Sequence, residues 1–79
     1  MSEKYTKKQG QYLAYIYYYT KVNGRPPAHA DLQVYFQVSP PSVHQMILTL
    51  KERGLITKED GVSRSIKVAV DVQELPLDW

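Results

Sequence analysis

The 79-residue chain has no cysteine, which removes disulfides, thiolate metal sites and cysteine nucleophiles together and fits a reducing compartment. No apolar run approaches the roughly 20 residues needed to span a bilayer. The opening "MSEKYTKKQGQ" carries no apolar signal-peptide region, so a cytoplasmic location is expected and no membrane partner. Histidine is scarce: His29 and His44 are the only two, and neither has a second ligand at helical spacing. No metal and no cofactor are therefore expected. The serines show no nucleophile–base–orienter set, so the chain does not read as an enzyme and no small-molecule substrate is expected. Internal repeats and low-complexity segments are missing too.

What is there is ordinary in amount and uneven in placement. Apolar residues make up 43% and charged residues 23% of the chain, enough to rule out wholesale disorder. A single small domain must bury a simple core, because chains this short hide only about 60% of their unfolded surface. Residues 1–70 hold all ten lysines and arginines against five acids, whereas the last nine, "DVQELPLDW", hold three acids and no base. A basic body with an acidic tail is compatible with a polyanionic partner, and also with a plain solvated surface.

Local signals order the elements. Residues 1–5 read as a flexible start. Thr6 with Gln9 three positions on forms a capping box, and Leu13, Ile16 and Thr20 then share one helical face, flanked by Tyr12 and Tyr19. Gly24 and "RPP" stop that helix, predicting Lys7 to Asn23. Leu32, Tyr35 and Phe36 have the spacing of a buried face over residues 29–37, although Ala28 is a poor N-cap. A third helix, about 40–53, starts from Ser39 as N-cap with Pro40 in the first position. It buries Val43, Met46, Ile47 and Leu50 and stops at Gly54. Then "LITKED", the "DG" turn and the alternating "RSIKVAV" predict a β-hairpin with Ile66, Val68 and Val70 on one side.

Two short helices joined by a tight "QVS" turn and followed by a hairpin read as a winged helix-turn-helix: mainly α, three helices plus a two-stranded antiparallel wing. Winged helices serve protein contacts as well as DNA; where such a domain binds double-stranded DNA, the third helix enters the major groove. Its outward face carries Pro41, Ser42, His44, Gln45 and Leu48, and the polar members can bond to base edges. The wing offers Ser63 and Arg64 to phosphates, while Glu59 and Asp60 near its tip would repel them.

The residues themselves resemble a family, the N-terminal DNA-binding domain of the LexA repressors. "TKKQGQYLAYI" is similar to its opening T-x-R-Q-x-x-x-L-x-x-I, and "NGRPPAHADL" to its G-x-P-P segment with Asp31 and Leu32 in place. "SPPSVHQMILTLKERGLI" resembles its S-x-x-[ST]-V-x-x-x-L-x-x-L-x-x-[KR]-G motif, and "DGVSRSIKV" its wing. The resemblance covers residues 6–70, and "ELPLDW" in the acidic tail 71–79 looks like the family's interdomain linker. It implies a sequence-specific transcriptional regulator, a repressor, with Ser39, Pro41, Ser42, His44 and Gln45 at the bases. It also implies Lys7, Lys51, Arg64 and Lys67 at phosphates. The family's second domain, a self-cleaving Ser-Lys protease with most of the dimer interface, has no counterpart in these 79 residues, so no self-cleavage is implied. Departures are Leu48 in place of a basic residue, Met46 in place of a polar one, and Gln33 and Gln37 in place of a small residue and a glycine.

An alternative comes from the tyrosines. "YLAYIYYYTKV" holds five of the seven, and Tyr15, Tyr18 and Val22 lie opposite Leu13 and Ile16. An exposed aromatic stripe marks a contact surface. With Leu48 it would serve a protein partner or a homodimer.

Overall fold

Helix α1 (Lys7–Asn23) begins with the capping box the residues foretell. The Gln9 N–H donates to Thr6 Oγ1 at 3.1 Å, and the Thr6 N–H donates to Gln9 Oε1 at 2.9 Å. It ends at Gly24, whose left-handed backbone (φ 76°) turns its N–H onto the Thr20 carbonyl. Helix α2 (His29–Phe36) follows the prolines, then α3 (Pro40–Glu52) and two short strands, β1 (Ile56–Thr57) and β2 (Lys67–Val68). The computed structural model describes residues 5–70. The start at residues 1–4 and the acidic tail 71–79 lie outside the described residues. Tyr5, expected in the flexible start, is half-buried and packs against the core.

Helix α2 lacks a side-chain cap at Ala28, as its sequence suggests, but half of a capping box is still made. Asp31, three residues on, accepts from the Ala28 N–H at 2.8 Å. Its far end departs from habit. Gln37 takes the left-handed conformation (φ 54°, ψ 50°) usually left to glycine, and the N–H groups of Gln37 and Val38 both turn onto the Gln33 carbonyl. That kink makes the tight turn into α3. Helix α3 closes with a Schellman arrangement: Leu55 N–H reaches the Leu50 carbonyl at 2.9 Å and Gly54 N–H the Lys51 carbonyl at 3.0 Å. Leu55 is thereby delivered into the core.

That core draws on all three helices and β1: Tyr12, Leu13 and Ile16 of α1, Leu32 of α2, Val43, Ile47 and Leu50 of α3, then Leu55, Ile56 and Ile66, with Val68 of β2 packed against it. The antiparallel strands pair Ile56 with Val68 and Thr57 with Lys67, and α1 covers β2 while α3 covers β1. Two strands of two residues could not stand alone in water; burial of Ile56 and Ile66 under the helices holds them. The turn at Asp60–Gly61 is present, but it lies inside a long wing loop rather than joining the strands directly. Ser65 Oγ fastens that loop, accepting from the Glu59 N–H and standing 2.8 Å from the Val62 carbonyl. Three helices and a two-stranded wing make a winged helix-turn-helix. None of the helices among the described residues is long and apolar enough to cross a membrane.

Tyr35 corrects the expected face of α2. Leu32 is wholly buried, but Tyr35 stays 47% exposed, because its ring lies over Tyr15 of α1 at 4.1 Å instead of entering the core. Phe36 takes the inner place, stacked on Tyr12 with ring centroids 4.0 Å apart.

Candidate nucleic-acid interface

Helix α3 buries Val43, Ile47 and Leu50 and packs Met46 half-buried against the core. Pro41, Ser42, His44, Gln45 and Leu48 are all exposed, and Thr49 is half-buried beside them. At about 100° per residue, Pro41, Gln45 and Leu48 form the centre of the outward stripe, with Ser42 and Thr49 on one flank and His44 and Lys51 on the other. Among the described residues no helix or strand closes over the centre of this stripe, while Lys51 at its edge reaches Asp60 of the wing.

Ser39 has the backbone of an N-cap (φ −74°, ψ 158°), but its hydroxyl makes no cap bond. Pro40 and Pro41 fill the first two helical positions, so Pro41 has no N–H to offer a cap and only that of Ser42 is left. Instead Ser39 Oγ lies 3.0 Å from Ser42 Oγ. The same prolines weaken this helix start as an anion cradle, because fewer N–H groups face outward. Base or phosphate recognition here must come from side chains. Gln45 is lightly tethered: its amide Nε2 stands 3.5 Å from Thr49 Oγ1, whose own proton goes to the Gln45 carbonyl at 3.0 Å. A contact that long is easily exchanged for a better acceptor.

The basic residues divide into three groups. Lys7 at the start of α1 and Lys67 on β2 are exposed. Lys51 donates to the wing-tip Asp60 at 3.0 Å, and that contact holds the Asp60 carboxyl below its ordinary range. Arg64, expected at a phosphate, is turned inward. Its Nη1 lies 3.2 Å from Tyr19 Oη, the Pro26 carbonyl and Asp31 Oδ2 alike. Its backbone is left-handed (φ 54°), which aims the side chain under the wing instead of past its tip. The neighbouring Tyr19 hydroxyl raises the guanidinium pKa, with Asp31 adding to it. Asp31 in turn is held below its usual range, first by the Ala28 N–H and then by Arg64 and Tyr19. Arg64 therefore bolts the wing to α1 and to the start of α2. Tyr19, Pro26 and Asp31 were missed as its partners, since nothing in the sequence pairs residues 33 and 45 positions apart.

The two histidines, placed on different helices, come together with ring centroids 6.5 Å apart. Burial, then the nearby Lys58 and His44, lowers the His29 pKa, and His29 Nε2 is buried without a hydrogen-bond partner. Among the described residues no group of three or more His, Cys, Asp or Glu side chains could hold a metal ion.

The tyrosine stripe does not survive as one surface. Tyr15 is half-buried, stacked on Tyr35 at 4.1 Å and edge-on to Phe36 at 5.7 Å, and burial raises its phenol pKa. Tyr18 is half-buried with its ring against Tyr17 at 5.1 Å. Of the three residues only Val22 is freely exposed: Tyr35 and Phe36 of α2 close over Tyr15, and Tyr17 flanks Tyr18. This removes most of the support for the protein-contact alternative.

The chain matches none of the protein-family models. It is similar to the LexA repressor of Thermosipho melanesiensis, 33% identical over 66 residues that make up 84% of this chain and 33% of that protein. The LexA repressor of Petrotoga mobilis is 36% identical over 67 residues, 84% of this chain and 32% of that protein. That of Thermotoga maritima is 23% identical over 73 residues, 91% and 37% respectively. The chain thus spans about a third of the length of the curated relatives it matches.

Proposed function

Since the chain is a relative of the LexA repressors that fits their N-terminal DNA-binding domain, we propose that it binds duplex DNA sequence-specifically and acts as a transcriptional repressor. Helix α3 lies in the major groove on this reading. Ser39, Pro41, Ser42, His44 and Gln45 meet the bases, and Lys7, Lys67 and Lys51 meet phosphates. Arg64 holds the wing in position and is left out of the phosphate set. The observation that carries the proposal is the largely polar face of α3, exposed among the described residues, on a winged helix whose sequence matches these repressors. The domain performs no catalysis in this role, and it works in the cytoplasm.

One module of this size buries limited surface on DNA and binds weakly alone. Control of a promoter then requires a dimer on two half-sites one helical turn or a multiple of it apart, with linkage supplying the avidity. Two or three phosphate contacts per module give a slope of log K against log salt of about −2 to −3. An amide-shift titration with duplexes carrying candidate half-sites, run at two salt concentrations, tests the proposal. Shifts centred on residues 39–49 and the wing are expected, weakening at the higher salt. A flat titration at both salts would sink it.

A further inference from the structure

Leu48 is the one large apolar side chain that α3 leaves exposed, at 38%. It stands in the middle of the outward stripe, with Gln45 one turn before it and Thr49 next to it. No lysine or arginine lies on the helix before Lys51, so the stripe lacks the forked or long cationic donors that best single out guanine. What it has instead is an amide suited to adenine N6 and N7, and next to that a branched hydrocarbon. In the major groove the only hydrocarbon a base pair presents is the C5-methyl of thymine.

Resting on the DNA-binding reading above, we propose that Leu48 reads thymine methyl groups and that, with Gln45, it tunes α3 to A·T pairs. Three residues of helix advance about 4.5 Å, close to the ~3.4 Å step of a single strand. Gln45 and Leu48 therefore address neighbouring base pairs when α3 lies along the groove. Releasing Gln45 from its long contact with Thr49 lets the amide turn to adenine, while Leu48 closes over the methyl of the adjacent thymine. Polar neighbours on both sides of Leu48 favour this occupant over a broad apolar protein surface, which would need more than one greasy side chain.

The test starts by selecting bound duplexes from a randomised pool, then replaces each thymine of the selected half-site singly by uracil, which lacks only the methyl. Binding is followed by fluorescence anisotropy at one fixed salt concentration. Loss of one buried methyl should weaken wild-type binding about fourfold at one position, and Leu48→Ala should bind the thymine and uracil duplexes equally. Silence of every uracil substitution in the wild type overturns the inference, as does a fourfold loss that persists in Leu48→Ala. In either case salt-dependent duplex binding leaves the DNA-binding reading standing. Absence of duplex binding at any salt overturns both. Sedimentation of wild type and Leu48→Ala covers the other occupant: self-association lost with the leucine, at unchanged DNA affinity, assigns Leu48 to a protein contact and ends the proposal.

Discussion

Replacing Gln37 by glycine should stabilise the domain, and the structure sets the size of the effect. Gln37 sits at φ 54° and ψ 50°, where an L side chain costs roughly 1–2 kcal/mol through crowding of Cβ against the next carbonyl. Its side chain is exposed and has no hydrogen bond among those of the turn, so little contact is given up. Glycine relieves the crowding but loosens the unfolded chain, a counter-effect of about 0.4–1 kcal/mol. The net gain is roughly 0.5–1 kcal/mol, and for a domain of this size that raises Tm by about 2–8 °C. Gln37→Ala keeps the Cβ and should melt close to wild type. Gln37→Val adds β-branching at the same angle and should melt lower. Calorimetry and urea unfolding of the three variants read the series directly, with an unchanged urea slope confirming that only stability moved. A Gln37→Gly protein that melts at or below wild type would refute the strain argument.

Three further expectations concern the charged residues. Arg64→Ala should lower Tm yet leave the salt slope of DNA binding unchanged, whereas loss of a true phosphate ligand flattens it by about 0.9; Arg64→Gly should melt higher than Arg64→Ala because of the left-handed backbone at that position. Asp31 has a depressed pKa when folded, so its contribution is present above the unfolded value of 3.8 and is lost as pH falls through the lower folded value. Asp31→Asn should accordingly flatten the acid limb of a stability–pH profile followed by circular dichroism, and an unaltered limb would exclude Asp31 as its source. Asp60→Asn releases Lys51 from its 3.0 Å partner and removes a negative charge from the wing tip. Duplex binding should tighten and its salt slope steepen by up to about 1, as read by anisotropy across a salt series.

Helix ends were legible in the sequence wherever one residue acts on the backbone next to it. Thr6, Gly24 and Gly54 each cap or stop a helix by bonds spanning three to five positions, and such bonds can be read from a string of letters. The spacing of Val43, Ile47 and Leu50 likewise fixed which side of α3 is hidden, since period alone decides it. The features that stayed hidden all act between elements. Tyr15 looked exposed because a helical wheel knows nothing of α2, whose Tyr35 and Phe36 close over it. Arg64 looked like a phosphate ligand because it sits in a wing; only the fold brings Tyr19, Pro26 and Asp31 beneath it.

Those cross-element contacts bear on recognition as well as on stability. The wing is anchored from below by Arg64, so its orientation is set by the same Asp31 carboxylate that caps α2. Its tip carries Glu59 and Asp60, and Asp60 already occupies the cation at the end of α3. A tip of that charge has little to offer a phosphate backbone. On the proposed reading the wing therefore steadies α3, and discrimination between sequences falls on Ser39, Pro41, Ser42, His44 and Gln45, with Leu48 beside them. Substitutions along that stripe should then shift the preferred half-site, while substitutions under the wing should shift the melting temperature and leave the preference where it was.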